Sequence, residues 1–177
     1  MKIELILKPQ LIPAAIQDYS IIQNMSPFYI YDISRHCGFN SLDWAWPENG
    51  YECIDYKNYF TENDRYPFLV KVEEQLAGFV LIDKVSIDKK TDWNVGQFFI
   101  IGKFQRAGVA AQVFKQVLSK FVGWWEVAVI PENNPAVKFW RKVIDEYTNE
   151  NYLEQTKLLD EKYERIVFSF NNSINYK

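Results

Sequence analysis

Apolar and polar positions alternate along the chain in short blocks, with no internal repeat and no low-complexity linker. Lys2 to Lys8 places Ile3, Leu5 and Leu7 on one side and Glu4 and Lys8 on the other, which predicts a first strand ended by Pro9. Helical spacing of Ala15, Ile16, Tyr19, Ile21 and Ile22 predicts a helix from Leu11 or Pro13 to about Met25, and Ser26-Pro27 predicts the cap and first turn of a second, short one. From Arg35 to Asp64 the pattern supports only a helix over Ile54 to Thr61, and the remainder reads as loop. Apolar runs at Pro67 to Val72 and Leu76 to Val85 flank Glu73-Glu74-Gln75 as a hairpin. A central strand, Trp93 to Ile101, precedes a helix from Gly108 to Phe121, with Val109, Val113, Val117 and Phe121 on one stripe and Gly123 as its stop. A strand from Trp124 to Ile130 is broken by Pro131. Asn134 as cap and Pro135 as first residue open a helix that runs to about Tyr147. Tyr152 to Leu159 and Tyr163 to Phe170 form a closing hairpin around Asp160-Glu161, and the tail from Asn171 is polar and expected to be loose. This alternation predicts an α/β (α+β) architecture, a mixed, twisted central sheet of about six or seven strands with helices on both faces, in a single domain over residues 1–177.

The stretch from Gln97 to Ala111 carries the candidate chemistry. A buried strand passes through a short turn into a helix whose entrance, Ala107, Gly108, Ala110 and Ala111, is nearly bare of side chain. Unbonded N–H groups and the positive end of the helix dipole would face whatever approaches that entrance, and Arg106 adds charge. An anion as bulky as a diphosphate fits this description.

A second strand, turn and helix follows about 25 residues further on, the spacing of one α/β unit. Gln105-x-x-Gly108-x-Ala110 and Asn133-x-x-Ala136-x-x-Phe139-Trp140 together resemble the two signature motifs of the GNAT superfamily of N-acetyltransferases. The resemblance is clearest from about Gln75 to Tyr147. It implies acetyl-CoA as co-substrate and an amine of a small molecule or peptide as acceptor. In that family the pantetheine arm lies between two splayed parallel strands and bonds to the first like an added strand, which here means Phe99, Ile100 and Ile101. A backbone N–H near Phe99 or Ile100 would stabilise the oxyanion. The diphosphate would rest on Gln105, Arg106, Ala107, Gly108, Val109 and Ala110, with Asn133, Phe139 and Trp140 toward the coenzyme. Two early helices and an aromatic loop around Trp44 and Trp46, with Asp43, Glu48 and Glu52, would receive a cationic acceptor.

The resemblance stops short of the proton transfers. Many relatives carry Tyr where this chain has Trp140, and an indole cannot protonate a leaving thiolate. A thiol with a reference pKa of about 8.5 also leaves as its anion. An amine of pKa about 10.4 must lose a proton to a base. Candidates are Glu126, Asp83, Asp92 and His36, while the central strand itself offers only Gln97. A non-catalytic CoA-binding or sensing module of the same fold is the rival reading.

Composition adds bounds. The chain has 177 residues, 48% hydrophobic and 24% charged, with net charge −3 and pI about 5.3, which provides no general field for nucleic acid. Aromatic residues make up 17%, denser between Phe28 and Tyr66 than a short connection requires, so that segment is expected to cover something. Cys37 and Cys53 lack metal-ligand spacing and read as reduced thiols of a cytoplasmic protein without metal or membrane span, monomeric or homodimeric.

Overall fold

The computed structural model describes residues 7–37, 48, 53–159 and 163–173. In chain order its elements are β1 (Pro9–Pro13), α1 (Tyr19–Cys37), α2 (Asn58–Thr61), β2 (Arg65–Val72), β3 (Gln75–Asp83), β4 (Trp93–Ile100), α3 (Val109–Lys120), β5 (Trp124–Val129), α4 (Asn134–Thr148), β6 (Leu153–Leu159) and β7 (Tyr163–Asn171). The strands form one seven-stranded sheet in the order β1-β2-β3-β4-β5-β7-β6. Every neighbouring pair is antiparallel except β4 and β5. On one face α3 and α4 bury Val113, Val117, Val137, Trp140 and Ile144 against Val80, Trp125 and Phe168. On the other, Ile22 and Met25 of α1 and Tyr59 of α2 pack on Leu69, Phe79, Leu81 and Phe99. Helices on both faces of a mixed sheet are what the alternation predicts. Much of the aromatic share is core: Phe114 meets Trp140 edge-on at 4.9 Å, and Trp125 stacks on Phe170 at 6.4 Å.

Several boundaries differ from the sequence reading. The first strand is Pro9–Pro13, while the expected strand over Lys2 to Lys8 falls mostly outside the described residues. Two prolines are tolerated there because β1 is a sheet edge. Gln116 of α3 closes that edge, taking the Leu11 N–H at 3.0 Å and donating to the Pro9 carbonyl at 2.8 Å. The two early helices are one: α1 runs through Pro27. Pro27 is exposed, so the carbonyl that loses its helical partner can turn to water, while Ile22, Met25 and Ser26 hold the inner face. The expected helix over Ile54 to Thr61 shrinks to the single turn α2, because Gln23 of α1 holds the preceding backbone extended through the Ile54 carbonyl and the Tyr56 N–H.

The β2–β3 hairpin turns through Glu73 and Glu74, both at positive φ (48° and 65°), as a two-residue turn requires. The cap of α4 is Asn133, one residue before the expected Asn134, and its side chain accepts the Ala136 N–H at 3.3 Å. Asn172 is not loose. Its amide donates to the Leu118 and Phe121 carbonyls and its oxygen takes the Gly123 N–H at 2.7 Å, closing the end of α3.

Candidate functional site

β4 and β5 pair at only two positions, Trp93 with Trp125 and Asn94 with Glu126, and then part. The row where they part is pinned by buried carboxylates, since Asp83 lies opposite Asn94 on β3 and Glu126 lies opposite it on β5. Asp83 accepts from the Tyr59 hydroxyl, from Asn94 at 3.0 Å and from the Val85 N–H at 2.9 Å, and pairs with Arg65 at 3.2 Å. Burial and then Asp83 raise the Tyr59 pKa, so that hydroxyl remains a donor. Glu126 takes the N–H groups of Ile87 at 2.9 Å and Asp88 at 3.1 Å and the Thr91 hydroxyl at 3.4 Å. Asp92 binds the Trp124 N–H at 2.8 Å. These three candidate bases tie strand ends together, and none lines the cleft beyond. Gln97 does line it but has no proton to exchange.

Past that row the β3–β4 ladder slips, with Leu81 opposite Gln97 and Ile82 opposite Val95, leaving Gly96 as a bulge. A Cβ on Gly96 would sit 2.1 Å from the Tyr59 hydroxyl oxygen and 2.4 Å from Asp83 Oδ2. The Ile101 N–H donates to the Ala77 carbonyl at 2.8 Å, toward β3. Two-residue alternation therefore turns the backbone of Phe99 toward β3 and the N–H groups of Phe98 and Ile100 toward the gap. Of the two expected donors, Phe99 and Ile100, this register turns only Ile100 toward the gap and adds Phe98.

The gap continues into a groove. Its inner part, about 120 Å³, lies between Val95 to Phe98 of β4 and Val127 to Val129 of β5, with Tyr29 of α1 and Trp140 of α4 also lining it. Its outer part, about 350 Å³, reaches Gln105, Arg106 and Ala110 at the entrance to α3. Of the twelve binding residues expected from the sequence, the groove brings together Phe99, Ile100, Gln105, Arg106, Ala110, Asn133, Phe139 and Trp140. Ile101 instead lines an apolar hollow with Met25 and Phe28. Ala107, Gly108 and Val109 do not line the groove with side chains, and the Val109 side chain is buried in the core.

The α3 entrance itself is open. Gly108 is its cap at φ 74°, preceded by Arg106 at φ 59°. A Cβ on Gly108 would meet only Gln112 Nε2, at 3.9 Å. Among the described residues no acceptor takes the N–H of Val109, Ala110 or Ala111, and Arg106 has no ion-pair partner. Gln105 reaches the Ile100 carbonyl at 2.8 Å and Asp32 at 2.7 Å, tying α1 to the rim.

The sequence points to the early helices as the acceptor side and to His36 as a candidate base, but not to Tyr29, Asp32 or Ile33 as residues of the groove. Tyr29, Asp32, Ile33 and His36 form one helical stripe that lines it, a spacing present in the sequence. Tyr29 packs against Phe99 at 5.6 Å and Phe79 at 5.9 Å, and burial raises its pKa above the ordinary tyrosine value. Burial likewise pushes the Cys37 thiol up to about 11, so it stays protonated. The aromatic loop around Trp44 and Trp46, with Asp43 and Glu52, lies outside the described residues.

The sequence profile of the Acetyltransferase (GNAT) family matches residues 28–144, from α1 into α4. The chain belongs to this family. Its fold is similar to an acetyltransferase from Thermus thermophilus, at 13% identity and TM-score 0.64, covering 94% of this chain and 98% of that one. It is also similar to spermidine N-acetyltransferase from Vibrio cholerae in complex with CoA and spermine, at 18% identity and TM-score 0.63, covering 93% and 96%. A comparison with curated protein sequences gives no match. Acetyl transfer is the activity of this family, and the similar Vibrio cholerae structure holds CoA. No helix among the described residues is long and apolar enough to cross a membrane.

Proposed function

We propose that the protein is an acetyl-CoA-dependent N-acetyltransferase that acts on an amine of a small molecule or peptide. The observation that carries this reading is the groove opened by the parting of β4 and β5, which ends at an α3 entrance with unbonded N–H groups. The diphosphate is assigned to the N–H groups of Val109, Ala110 and Ala111, with Arg106 and Gln105 beside it and Ala107 and Gly108 allowing close approach. The pantetheine arm is assigned to the free edge of β4, taking the N–H groups that alternation turns toward the gap, with Asn133, Phe139 and Trp140 as the opposite wall. The N–H of Phe98, next to the bulge, then faces the thioester carbonyl and stabilises its oxyanion. The amine comes from the α1 side.

A second reading, CoA binding without turnover, has one observation in its favour. Asp83 and Glu126 are engaged in structure, and the one carboxylate lining the groove among the described residues, Asp32, is paired with Arg35 at 3.1 Å. Thiol release from acetyl-CoA across a panel of amines and peptides separates the two: tight CoA binding with no release favours the binding module.

Calorimetric titration with CoA tests the cradle. Gly108→Glu sets bulk and a like charge against the diphosphate and is expected to lower affinity about 100-fold or more, since such juxtapositions cost several kcal/mol. Gly108→Ala brings the same left-handed backbone strain without the charge and should lose far less. Equal affinities for the Ala and Glu variants would refute the assignment.

A further inference from the structure

Thioester aminolysis leaves a sulfur anion, and that sulfur would lie in the inner part of the groove, beside the β4 edge. Thirteen residues line this part, and a single one of them, Tyr29, carries an ionisable proton. The Trp140 N–H opposite is not acidic, and His36 and Arg35 line only the outer part. Tyr29 lines both parts, so it stands where they join. Its ring is fixed edge-on against Phe79 and tilted against Phe99, and its hydroxyl has no hydrogen-bond partner among the described residues. A phenol held by its ring beside an apolar groove, with no acceptor among the described residues, can donate to an anion that enters the groove.

We propose that Tyr29 is the catalytic acid of the acetyl transfer, giving its phenolic proton to the departing CoA sulfur. The assignment rests on the acetyl-transfer reading above. In the step, the amine nitrogen bonds to the carbonyl carbon and the C–S bond breaks with its electron pair on sulfur. The Tyr29 proton moves to that sulfur to give the free thiol, and the phenolate regains a proton from solvent as the new amide loses its extra one. The role falls to α1 because α4 presents an indole at Trp140.

The test does not require a known acceptor. Wild type and Tyr29→Phe are titrated by calorimetry at pH 9 with CoA and with desulfo-CoA, in which hydrogen replaces the thiol. Wild type should prefer CoA by about tenfold, the range of a hydrogen bond to a charged sulfur. Tyr29→Phe keeps the ring contacts, so desulfo-CoA affinity should stay within about twofold of wild type while the preference for CoA falls to about twofold. A preference unchanged by the substitution, or no preference in wild type, overturns the role of Tyr29 and leaves CoA binding intact. Failure of wild type to bind either compound overturns the acetyl-transfer reading and this assignment with it.

Discussion

Gly96 is where a single side chain decides the shape of the groove. The bulge needs the residue, and the space where its Cβ would stand is filled by the Tyr59 hydroxyl and Asp83. Gly96→Ala should destabilise by roughly 2 kcal/mol, the usual range for overpacking, as read by urea unfolding. In a Tyr59→Phe background the added methyl should cost clearly less, and additive effects of the two changes would contradict the packing described. The sequence could not show this arrangement. Asp83 and Glu126 look like any other carboxylates until Tyr59, Arg65 and the Ile87 and Asp88 N–H groups are seen around them. Gly108 is legible, because a bare helix entrance is a local property.

Elements are read best where local periodicity and packing agree. α3, β5 and the β6–β7 hairpin fall within a residue or two of their expected ends. α1 departs from its pattern because Pro27 marks a boundary only when the helix has nothing else to hold it, and the sheet beneath Ile22 and Met25 supplies that hold. One tie between elements has a pH signature: Arg141 of α4 grips Glu154 of β6 through two bonds, at 2.6 and 2.9 Å. The hydrogen bond from Arg141 lowers the Glu154 pKa in the fold. A carboxylate with a depressed folded pKa stabilises above its ordinary pKa, about 4.3, and loses that contribution as pH falls through the folded value. The pair is partly exposed, so Glu154→Gln should cost no more than about 1 kcal/mol at pH 7. The difference between variant and wild type should shrink as pH falls below the ordinary carboxylate value, about 4.3, and a pH-independent gap would show that the bond is not the cause.

Across the molecule, the seven-stranded order follows from ordinary constraints: hairpins pair neighbours, and the one parallel junction falls where a helix must cross over. What no local pattern reveals is that β4 and β5 stay together for two pairs and then separate, because that depends on which strands α1, α3 and α4 press upon. That α1 brings Tyr29 to the wall of the groove is hidden from the sequence for the same reason. The outer rim and its motif residues are legible, and the inner chamber with Tyr29 is not. The central claim is that the free edge of β4 binds CoA as a strand would, and amide hydrogen exchange at single residues tests it directly. Saturating CoA should slow exchange of the Phe98 and Ile100 N–H groups by about tenfold or more, together with those of Val109 to Ala111, leaving Phe99 and Ile101 little changed. CoA bound by calorimetry with Phe98 and Ile100 exchanging as in the free protein would contradict the account.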